Sequence, residues 1–331
     1  MKYHFRERWN GGACQAARFA MFGGWRVTRF LGENTTVLAG YGFDDDGPYL
    51  QLNDIGSGEP TRFSVRGRTF SLRRLPRRRC VGRFDLAMFQ ESVCPLGVEL
   101  PADSKETMCP ACIEATGFNP SFYYADFVSP QQRAYNQTPH FVYLAYFSPQ
   151  HLKAGISSET RGIERLLEQG ARAACIVGRF ANADEARALE AALCAQPGVL
   201  ETMRASLKAR LLVEERYDAD DAVRALGDAA SRLARVPAVA AAGFAPEEAR
   251  DLSPFYFGGP SPDVHDLQLA EGCEDACGGR CVGMVGGALV FEQGGLLFVA
   301  SIKEWESHEV DVLEDEVLCA YEAAPQQFSL F

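Results

Sequence analysis

The sequence has no apolar run approaching the ~20 residues that a membrane-spanning helix needs. Its first residues, MKYHFRERWNGG, also lack the apolar stretch of a signal peptide. These two absences predict a cytoplasmic protein without a membrane partner, in which the 11 cysteines stay reduced. In that compartment, clustered cysteines indicate a metal site more often than a disulfide.

Acidic residues are missing from Arg62 to Arg83, although the net charge of the chain is −11. Residues 1–83 carry 15 Lys and Arg against 7 Asp and Glu, whereas the remainder carries 18 against 37. The basic strip could hold the phosphates of a nucleic acid. Alternatively, its arginines protect strand edges from pairing with other chains. The acidic remainder would repel a polyanion, which argues against tight non-specific binding to DNA.

A chain of 331 residues with 47% apolar and 23% charged residues is typical of a soluble protein with two or three domains. Alternating runs separated by DDDG and DIGSGEP predict an N-terminal antiparallel β domain over residues 1–79. An irregular cysteine segment follows over 80–125, then an α/β core with added helices over 138–236 and a Cys-rich loop with a β tail over 260–331. The predicted fold class is therefore α+β and multidomain.

Four cysteines in the irregular segment predict a structural zinc site; they are Cys80, Cys94, Cys109 and Cys112. The last two form CPAC, and a C-x-x-C pair lets two thiolates reach one ion. Zinc would supply folding energy that a loop-rich segment cannot obtain from apolar burial. The alternatives are unrelated buried cysteines or a redox pair. The redox alternative is disfavoured because no convincing helix follows CPAC to acidify the first thiol.

A second group, GCEDACGGRC, contains Cys273, Cys277 and Cys281. With a fourth ligand, these thiols could bind a second zinc or an iron–sulfur cluster; the candidate fourth ligands are His265, His308 and Cys319. The alternative is a set of reduced loop cysteines. The remaining cysteines are interpreted as isolated small apolar residues; they are Cys14, Cys175, Cys194 and Cys319.

Polar side chains stand in the predicted core where packing alone requires apolar residues. In the strand FVYLAYF, alternation sends Phe141, Tyr143 and Ala145 to one face, and Val142, Leu144 and Tyr146 to the other. Lys153 and Gly155 lie on the next strand. Arg161 and Arg165 are four residues apart on a predicted helix from about residue 159 and share a face. Glu190 lies within ALEAAL of a further helix.

This order of residues resembles the GIY-YIG nuclease superfamily. Residues VYL stand at the GIY position and KAG at the YIG position, with Arg165 at the helix arginine and Glu190 at the metal-binding glutamate. The segments PHFVYLA, KAGIS and RLLEQGA resemble more closely a bacterial family that carries only an unknown-function label. That closer resemblance covers roughly residues 75–200 and 282–312.

The superfamily resemblance implies a division of roles. Tyr143 would be the base or its hydrogen-bond relay, Lys153 a second polar contact, and Arg165 the phosphate clamp. Glu190 would hold a single Mg²⁺ or Mn²⁺. The chain departs from the motif because Lys153 replaces the second tyrosine and the first motif lacks Gly and Ile. The predicted substrate-binding residues are His140, Arg161 and Gln169, of which His140 and Gln169 belong to the closer family's pattern.

Three functions remain open at this point. The first is a zinc-containing, metal-dependent phosphodiesterase that acts on RNA or DNA. The second is a non-catalytic module that binds nucleic acid or protein, which the lysine replacement favours. The third is an enzyme of bacterial specialised metabolism that uses the same pocket on a small molecule, which is compatible with the acidic surface and the second cysteine group.

Overall fold

The computed structural model describes residues 35–119, 127–271 and 274–321. The first 34 residues of the β domain predicted over 1–79 lie outside the described residues, and so do Cys14 and Cys273. No helix in the described part of the chain is both long and apolar enough to cross a membrane.

The described chain begins with seven strands, continues with a mixture of helices and strands, and ends with five strands. The strands are β1 (Thr36–Asp44), β2 (Gly47–Asp54), β3 (Glu59–Ser64), β4 (Thr69–Arg79), β5 (Arg83–Asp85), β6 (Gln90–Ser92), β7 (Glu99–Leu100), β8 (His140–Ser148), β9 (His151–Ser158), β10 (Ala173–Phe180), β11 (Val199–Leu200), β12 (Arg250–Asp251), β13 (Leu267–Leu269), β14 (Ala276–Val285), β15 (Ala288–Gln293), β16 (Leu296–Ser301) and β17 (His308–Glu314). The α-helices are α1 (Pro110–Thr116), α2 (Pro130–Asn136), α3 (Glu164–Glu168), α4 (Ala183–Cys194), α5 (Ala205–Glu214), α6 (Ala219–Leu233), α7 (Pro237–Ala241) and α8 (Ser253–Phe257).

The largest sheet combines strands from both ends of the described chain. Its order is β13-β16-β15-β14-β4-β17-β1-β2-β3, and β7 also pairs with β4. The long strand β4 pairs with β14 on one edge and β17 on the other, antiparallel in both cases. Phe70 and Leu72 of β4 are fully buried, so the sheet is anchored at its middle by apolar packing. The N-terminal strands and the C-terminal β tail therefore form one sheet.

A second sheet has five strands in the order β11-β9-β8-β10-β12. Every residue of β8 is buried, because both faces of this sheet are covered. Phe141, Tyr143 and Ala145 pack towards the ten-stranded sheet, and the alternate residues of β8 pack into a separate core with α4 and α6. The alternation predicted for FVYLAYF is confirmed. The described residues also form the expected mixture of α and β structure, with several sheets and eight α-helices.

The predicted helix that begins near residue 159 is interrupted. Glu159–Arg161 forms a 3₁₀ turn, Gly162 has a φ of 46°, and α3 begins only at Glu164. Since glycine adopts positive φ without a steric cost, the chain bends sharply here. The prediction that Arg161 and Arg165 share one continuous helix is therefore wrong.

Candidate functional site

Four cysteine sulfurs gather beside the end of the long strand β4. Cys80 follows β4, Cys94 follows β6, Cys109 precedes α1 and Cys112 lies within it. All four are buried, and their sulfur atoms lie within 4.8 Å of one another. The predicted grouping is confirmed, and four thiol donors at this separation could hold a metal ion.

Backbone N–H groups point at these sulfurs. Gly82 donates to Cys80 Sγ at 3.4 Å, and the N–H of Cys109 donates to the same sulfur at 3.1 Å. Burial raises the pKa of the Cys80 thiol to about 11. Burial also opposes ionisation of Cys94, but N–H groups of Val98 and Leu96 outweigh it and lower the pKa of that thiol to about 7. Hydrogen bonds to sulfur stabilise the thiolate form that binds metal.

A helix does follow CPAC, contrary to the sequence expectation. Helix α1 begins at Pro110, directly after Cys109. The redox alternative is weakened for a different reason, since the CPAC thiols lie together with Cys80 and Cys94 rather than as an isolated pair.

The second cysteine group is only partly described. Cys277 and Cys281 are buried in β14, and the Cys281 thiol donates to the carbonyl oxygen of Gly283 at 3.4 Å. Burial raises the pKa of Cys281 to about 12. Within residues 35–119, 127–271 and 274–321, the Cys80 cluster is the only group of three or more His, Cys, Asp or Glu side chains placed so that they could bind one metal ion. A second metal site therefore stays a prediction.

We call the segment from β8 to α8, which contains the five-stranded sheet, the α/β unit. A cavity of about 570 Å³ lies where the ten-stranded sheet meets this α/β unit. One wall comes from β1, β6, the β14–β15 turn and the segment after β16; the other comes from the chain around α3 and from α5. Its lining consists of Gly40, Tyr41, Glu91, Arg161, Arg165, Glu168, Gln169, Met203, Ala205, Lys208, Ala209, Val285, Gly286, Gly287, Ala288, Ser301, Lys303 and Glu306. Three of the predicted site residues are in this lining, namely Arg161, Arg165 and Gln169.

Arg165 connects the cavity to the buried Tyr143. The positive charge of Arg165 acts on the Tyr143 hydroxyl, while Tyr143 itself is only 1% exposed. Burial raises the pKa of Tyr143, and the positive charge of Arg165 acts against that rise. Opposite Tyr143 in the β8–β9 pair stands Gly155, where a methyl group would come within 2.4 Å of the phenolic oxygen. The glycine therefore makes room for the tyrosine ring.

Lys153 extends this group on β9. Its Nζ atom donates to the carbonyl oxygen of Ala154 at 3.2 Å and lies 5.7 Å from the centre of the Tyr143 ring. Burial lowers the pKa of Lys153, and the positive charge of Arg165 lowers it further. Such a lysine gives up its proton more readily than an exposed one.

Glu190 is buried in α4 and already has a cationic partner. Arg187 Nη1 lies 2.5 Å from Glu190 Oε2, and it also contacts Glu201 at 3.3 Å. The charge of Glu190 acts on both Tyr143 and Lys153, so the four predicted catalytic residues form one electrostatic group. Among the described residues that line the cavity, however, Arg165 is the only one of these four.

His140 occupies the start of β8, away from the cavity lining. Its Nδ1 atom lies 2.7 Å from the carbonyl oxygen of Thr138, and its ring packs edge-on against Tyr135 at 5.1 Å. Burial lowers the pKa of His140. These contacts account for its position through packing.

A comparison with protein-family models matches the part of the chain that holds most of the cavity lining. The model of the family described as a protein of unknown function (DUF2797) matches residues 129–310, more than half of the chain. The chain belongs to the DUF2797 family. No curated protein and no solved structure matched the chain in the corresponding searches.

The DUF2797 match covers most of the cavity lining and none of the cysteine cluster. Its residues include Arg161, Arg165, Lys208 and Glu306 of the cavity, together with the whole five-stranded sheet. The four clustered cysteines precede the match, as do Tyr41 and Glu91. The cysteine cluster is therefore an element of this chain that the matched region does not account for.

The sequence analysis did not select several residues that line the cavity. Among them, Lys208 could have been found from its helical spacing. Lys208 lies three and four residues before Leu211 and Leu212, which are buried, so helical spacing places it on the apolar face of α5. Tyr41, Lys303 and Glu306 come from distant parts of the chain, and nothing in their local sequence links them to Arg165.

The basic strip is largely neutralised within the protein. Arg74 pairs with Asp275 at 2.5 Å, Arg79 with Glu309 at 2.6 Å, and Arg73 with Asp311. The buried Arg78 donates to Ser307 Oγ and to carbonyl oxygens of the cysteine segment, including that of Glu106. Arginines used in this way offer less charge to an external polyanion.

Proposed function

We propose that this protein is a metal-dependent phosphodiesterase with GIY-YIG-like chemistry and a structural zinc. The observation that carries the proposal is the position of Arg165, which lines the cavity while its positive charge acts on the buried Tyr143. A guanidinium fixed in a cavity wall, here 3.7 Å from the carboxylate of Glu168, is a preorganised donor, and such donors stabilise the charge that develops on a phosphate during transfer. RNA or DNA is the first substrate class, as the resemblance implies.

The proton roles follow from the two shifted pKa values. Burial raises the pKa of Tyr143, so its hydroxyl keeps its proton and acts as a hydrogen-bond donor or relay. Burial and Arg165 lower the pKa of Lys153, which brings it closer to the range of an effective base. Lys153 would then accept the proton from the attacking water in place of the second motif tyrosine.

The divalent cation would bind at Glu190. A carboxylate oxygen suits Mg²⁺ or Mn²⁺, which would neutralise charge on the phosphate. Because Arg187 already lies 2.5 Å from this carboxylate, the cation would compete with the guanidinium. We therefore expect a dependence on added divalent cation rather than a tightly retained ion.

Zinc is the proposed occupant of the four-cysteine cluster. Four thiolates provide a closed tetrahedral donor set with no open position for a substrate. The ion would thus stabilise the segment between β4 and α1 without taking part in the reaction.

The decisive experiment is cleavage of a mixed pool of RNA and DNA oligonucleotides by the full chain with added Mg²⁺ or Mn²⁺. Arg165→Ala should lower the rate by about 100-fold or more, because it removes a donor to the transition state. Arg210→Ala is the matched control, since Arg210 is an exposed arginine paired only locally with Glu214. Equal rates for Arg165→Ala and the unaltered protein would contradict the proposal. Salt-sensitive binding of the pool without any cleavage would instead indicate a binding module.

A second candidate is an enzyme acting on a small molecule. It is favoured by the cavity volume of about 570 Å³ and by the internal pairing of the Arg62 to Arg83 strip. Cleavage of low-molecular-weight phosphodiesters with no cleavage of oligonucleotides would identify this alternative, and the Arg165 variant applies equally to it.

A further inference from the structure

Lys208 lines the cavity and, within the part of the chain that the structure describes, forms no salt bridge with a carboxylate. Its Nζ atom donates to the carbonyl oxygen of Gln169 at 2.7 Å, and it lies 5.2 Å from the centre of the Phe147 ring. The carbonyl at the end of α3 and the aromatic ring beneath fix this ammonium in the cavity wall. Across the described ranges, its polar contacts go to Gln169.

The other cavity cations already have acidic partners. Arg161 pairs with Glu168, Arg165 lies 3.7 Å from the same carboxylate, and Lys303 lies 2.5 Å from Glu306. Burial and the positive charges of Lys153, Arg165 and Lys303 lower the pKa of Lys208. This wall holds three cations, Arg161, Arg165 and Lys208, and one carboxylate, Glu168, so its net charge is positive and an anion placed there would relieve the repulsion.

The opposite wall offers acceptors and a hydroxyl group. Tyr41, Glu91 and Glu306 line it, and burial raises the pKa of each of these three groups. Carboxyl and phenol groups in such a wall form hydrogen bonds with hydroxyl or amino groups of a ligand. The two walls thus differ in chemistry, one suited to an anion and the other to a polar neutral group.

We propose that the cavity binds a compact phosphate ester of roughly nucleotide size. Its phosphate lies between Arg165 and Lys208, and its hydroxyl-bearing part faces Tyr41, Glu91 and Glu306. A volume of about 570 Å³ falls within the usual range for small-molecule sites. The position of the phosphate rests on the proposed function, whereas binding itself does not depend on hydrolysis.

Titration calorimetry on the full chain tests this with five probes: inorganic phosphate, adenosine, adenosine 5′-monophosphate, glucose 6-phosphate and a ten-nucleotide single-stranded DNA. We expect at least one of the two esters to bind about tenfold or more tightly than phosphate or adenosine, because both walls then contribute. The ester that binds more tightly shows whether the scaffold is a nucleoside or a sugar.

Lys208→Met retains the length of the side chain over Phe147 and should weaken ester binding by about tenfold or more. Arg210→Met, two residues along α5 and exposed, should leave the affinity unchanged. If circular dichroism shows that Lys208→Met does not fold, Arg165→Gln is measured instead, since the proposal requires both cations. Unchanged ester affinity in the folded variant overturns the proposal.

The outcomes separate this inference from phosphodiesterase activity. Ester binding that depends on Lys208, without hydrolysis of any substrate, supports the inference and contradicts the proposed function. Oligonucleotide cleavage that depends on Arg165, with no ester binding, supports the function and overturns the inference. Ester binding no tighter than that of inorganic phosphate overturns the role of the second wall.

Discussion

Gly170 and Gly286 touch backbone to backbone at the edge of the cavity. Gly170 follows α3 in the α/β unit, and Gly286 lies in the β14–β15 turn of the ten-stranded sheet. A methyl group on Gly286 would lie 3.1 Å from the N and Cα atoms of Gly170. Both residues have positive φ, 71° and 55° respectively. The close approach of these two turns brings the two walls of the cavity together.

Gly286→Ala should therefore destabilise the joint between the sheets. Its cost combines a left-handed backbone with a contact that a side chain cannot easily accept. Gly294→Ala is the matched control, because Gly294 has a φ of 59° and nothing within 4 Å of an added methyl. In chemical denaturation, we expect Gly286→Ala to lose about 1 kcal/mol more than the control. Equal losses would show that the close approach does not matter for stability.

Gly155→Ala should disturb Tyr143 and the activity that depends on it. The new methyl would lie 2.4 Å from the phenolic oxygen and 2.5 Å from the adjacent ring carbon, so the ring must move from its present position. We expect about a tenfold or greater fall in kcat, since small displacements at a site are costly. Gly227→Ala in α6, where a methyl meets nothing within 4 Å, should instead stabilise the fold by about 0.5–1 kcal/mol and leave kcat unchanged. Unaltered kcat in Gly155→Ala would remove Tyr143 from the proposed mechanism.

Purified protein should contain about one zinc per chain, because the four cysteines form one tetrahedral donor set. Elemental analysis measures this directly. Cys109→Ser should lose most of the metal and lower the midpoint of thermal unfolding, whereas Cys194→Ser, outside the cluster, should retain both. A chelator should reproduce the first effect in the unaltered protein. A metal-free protein that is fully folded would contradict the assignment.

Lys208 should make the free energy of unfolding depend on pH in the alkaline range. Burial, together with Lys153 on β9, Arg165 on α3 and Lys303 after β16, lowers the pKa of Lys208 to about 8. The acidic groups of the same cavity lining are Glu91, Glu168 and Glu306. An unfolded lysine keeps its proton to about pH 10.4. Between these two pKa values the unfolded state binds more protons than the folded state, so the free energy of unfolding rises with pH. Below about pH 8 the full cost of keeping Lys208 charged in the folded protein is present.

Denaturation of Lys208→Met measures this effect against the unaltered protein, and groups common to both cancel. The variant should be more stable at pH 7 by roughly 1–2 kcal/mol, since solvent screens a partly exposed ammonium. That advantage should shrink towards pH 10. A difference between the two proteins that is constant from pH 7 to pH 10 would mean that Lys208 titrates normally.

Local chemistry made parts of the molecule readable from the sequence. The period of two in FVYLAYF assigned Phe141 and Val142 to opposite faces, because strand side chains alternate regardless of what they meet. The spacing of Cys109 and Cys112, with two further cysteines nearby, predicted the sulfur cluster because a C-x-x-C pair and two more thiols supply the four donors of a tetrahedral zinc site. In contrast, the left-handed Gly162 was not anticipated, and the helix expected over Arg161 is a 3₁₀ turn.

The sequence by itself determined the buried strand with its tyrosine, the cysteine cluster and the arginine that reaches the site. Tertiary structure decided that β4 joins both ends of the chain in one sheet, and that Tyr41, Lys208 and Lys303 surround Arg165. Alternation and ligand spacing depend on neighbours in the chain, so they can be read locally. A cavity between two sheets depends on contacts between residues more than 100 positions apart, and local patterns carry no record of them.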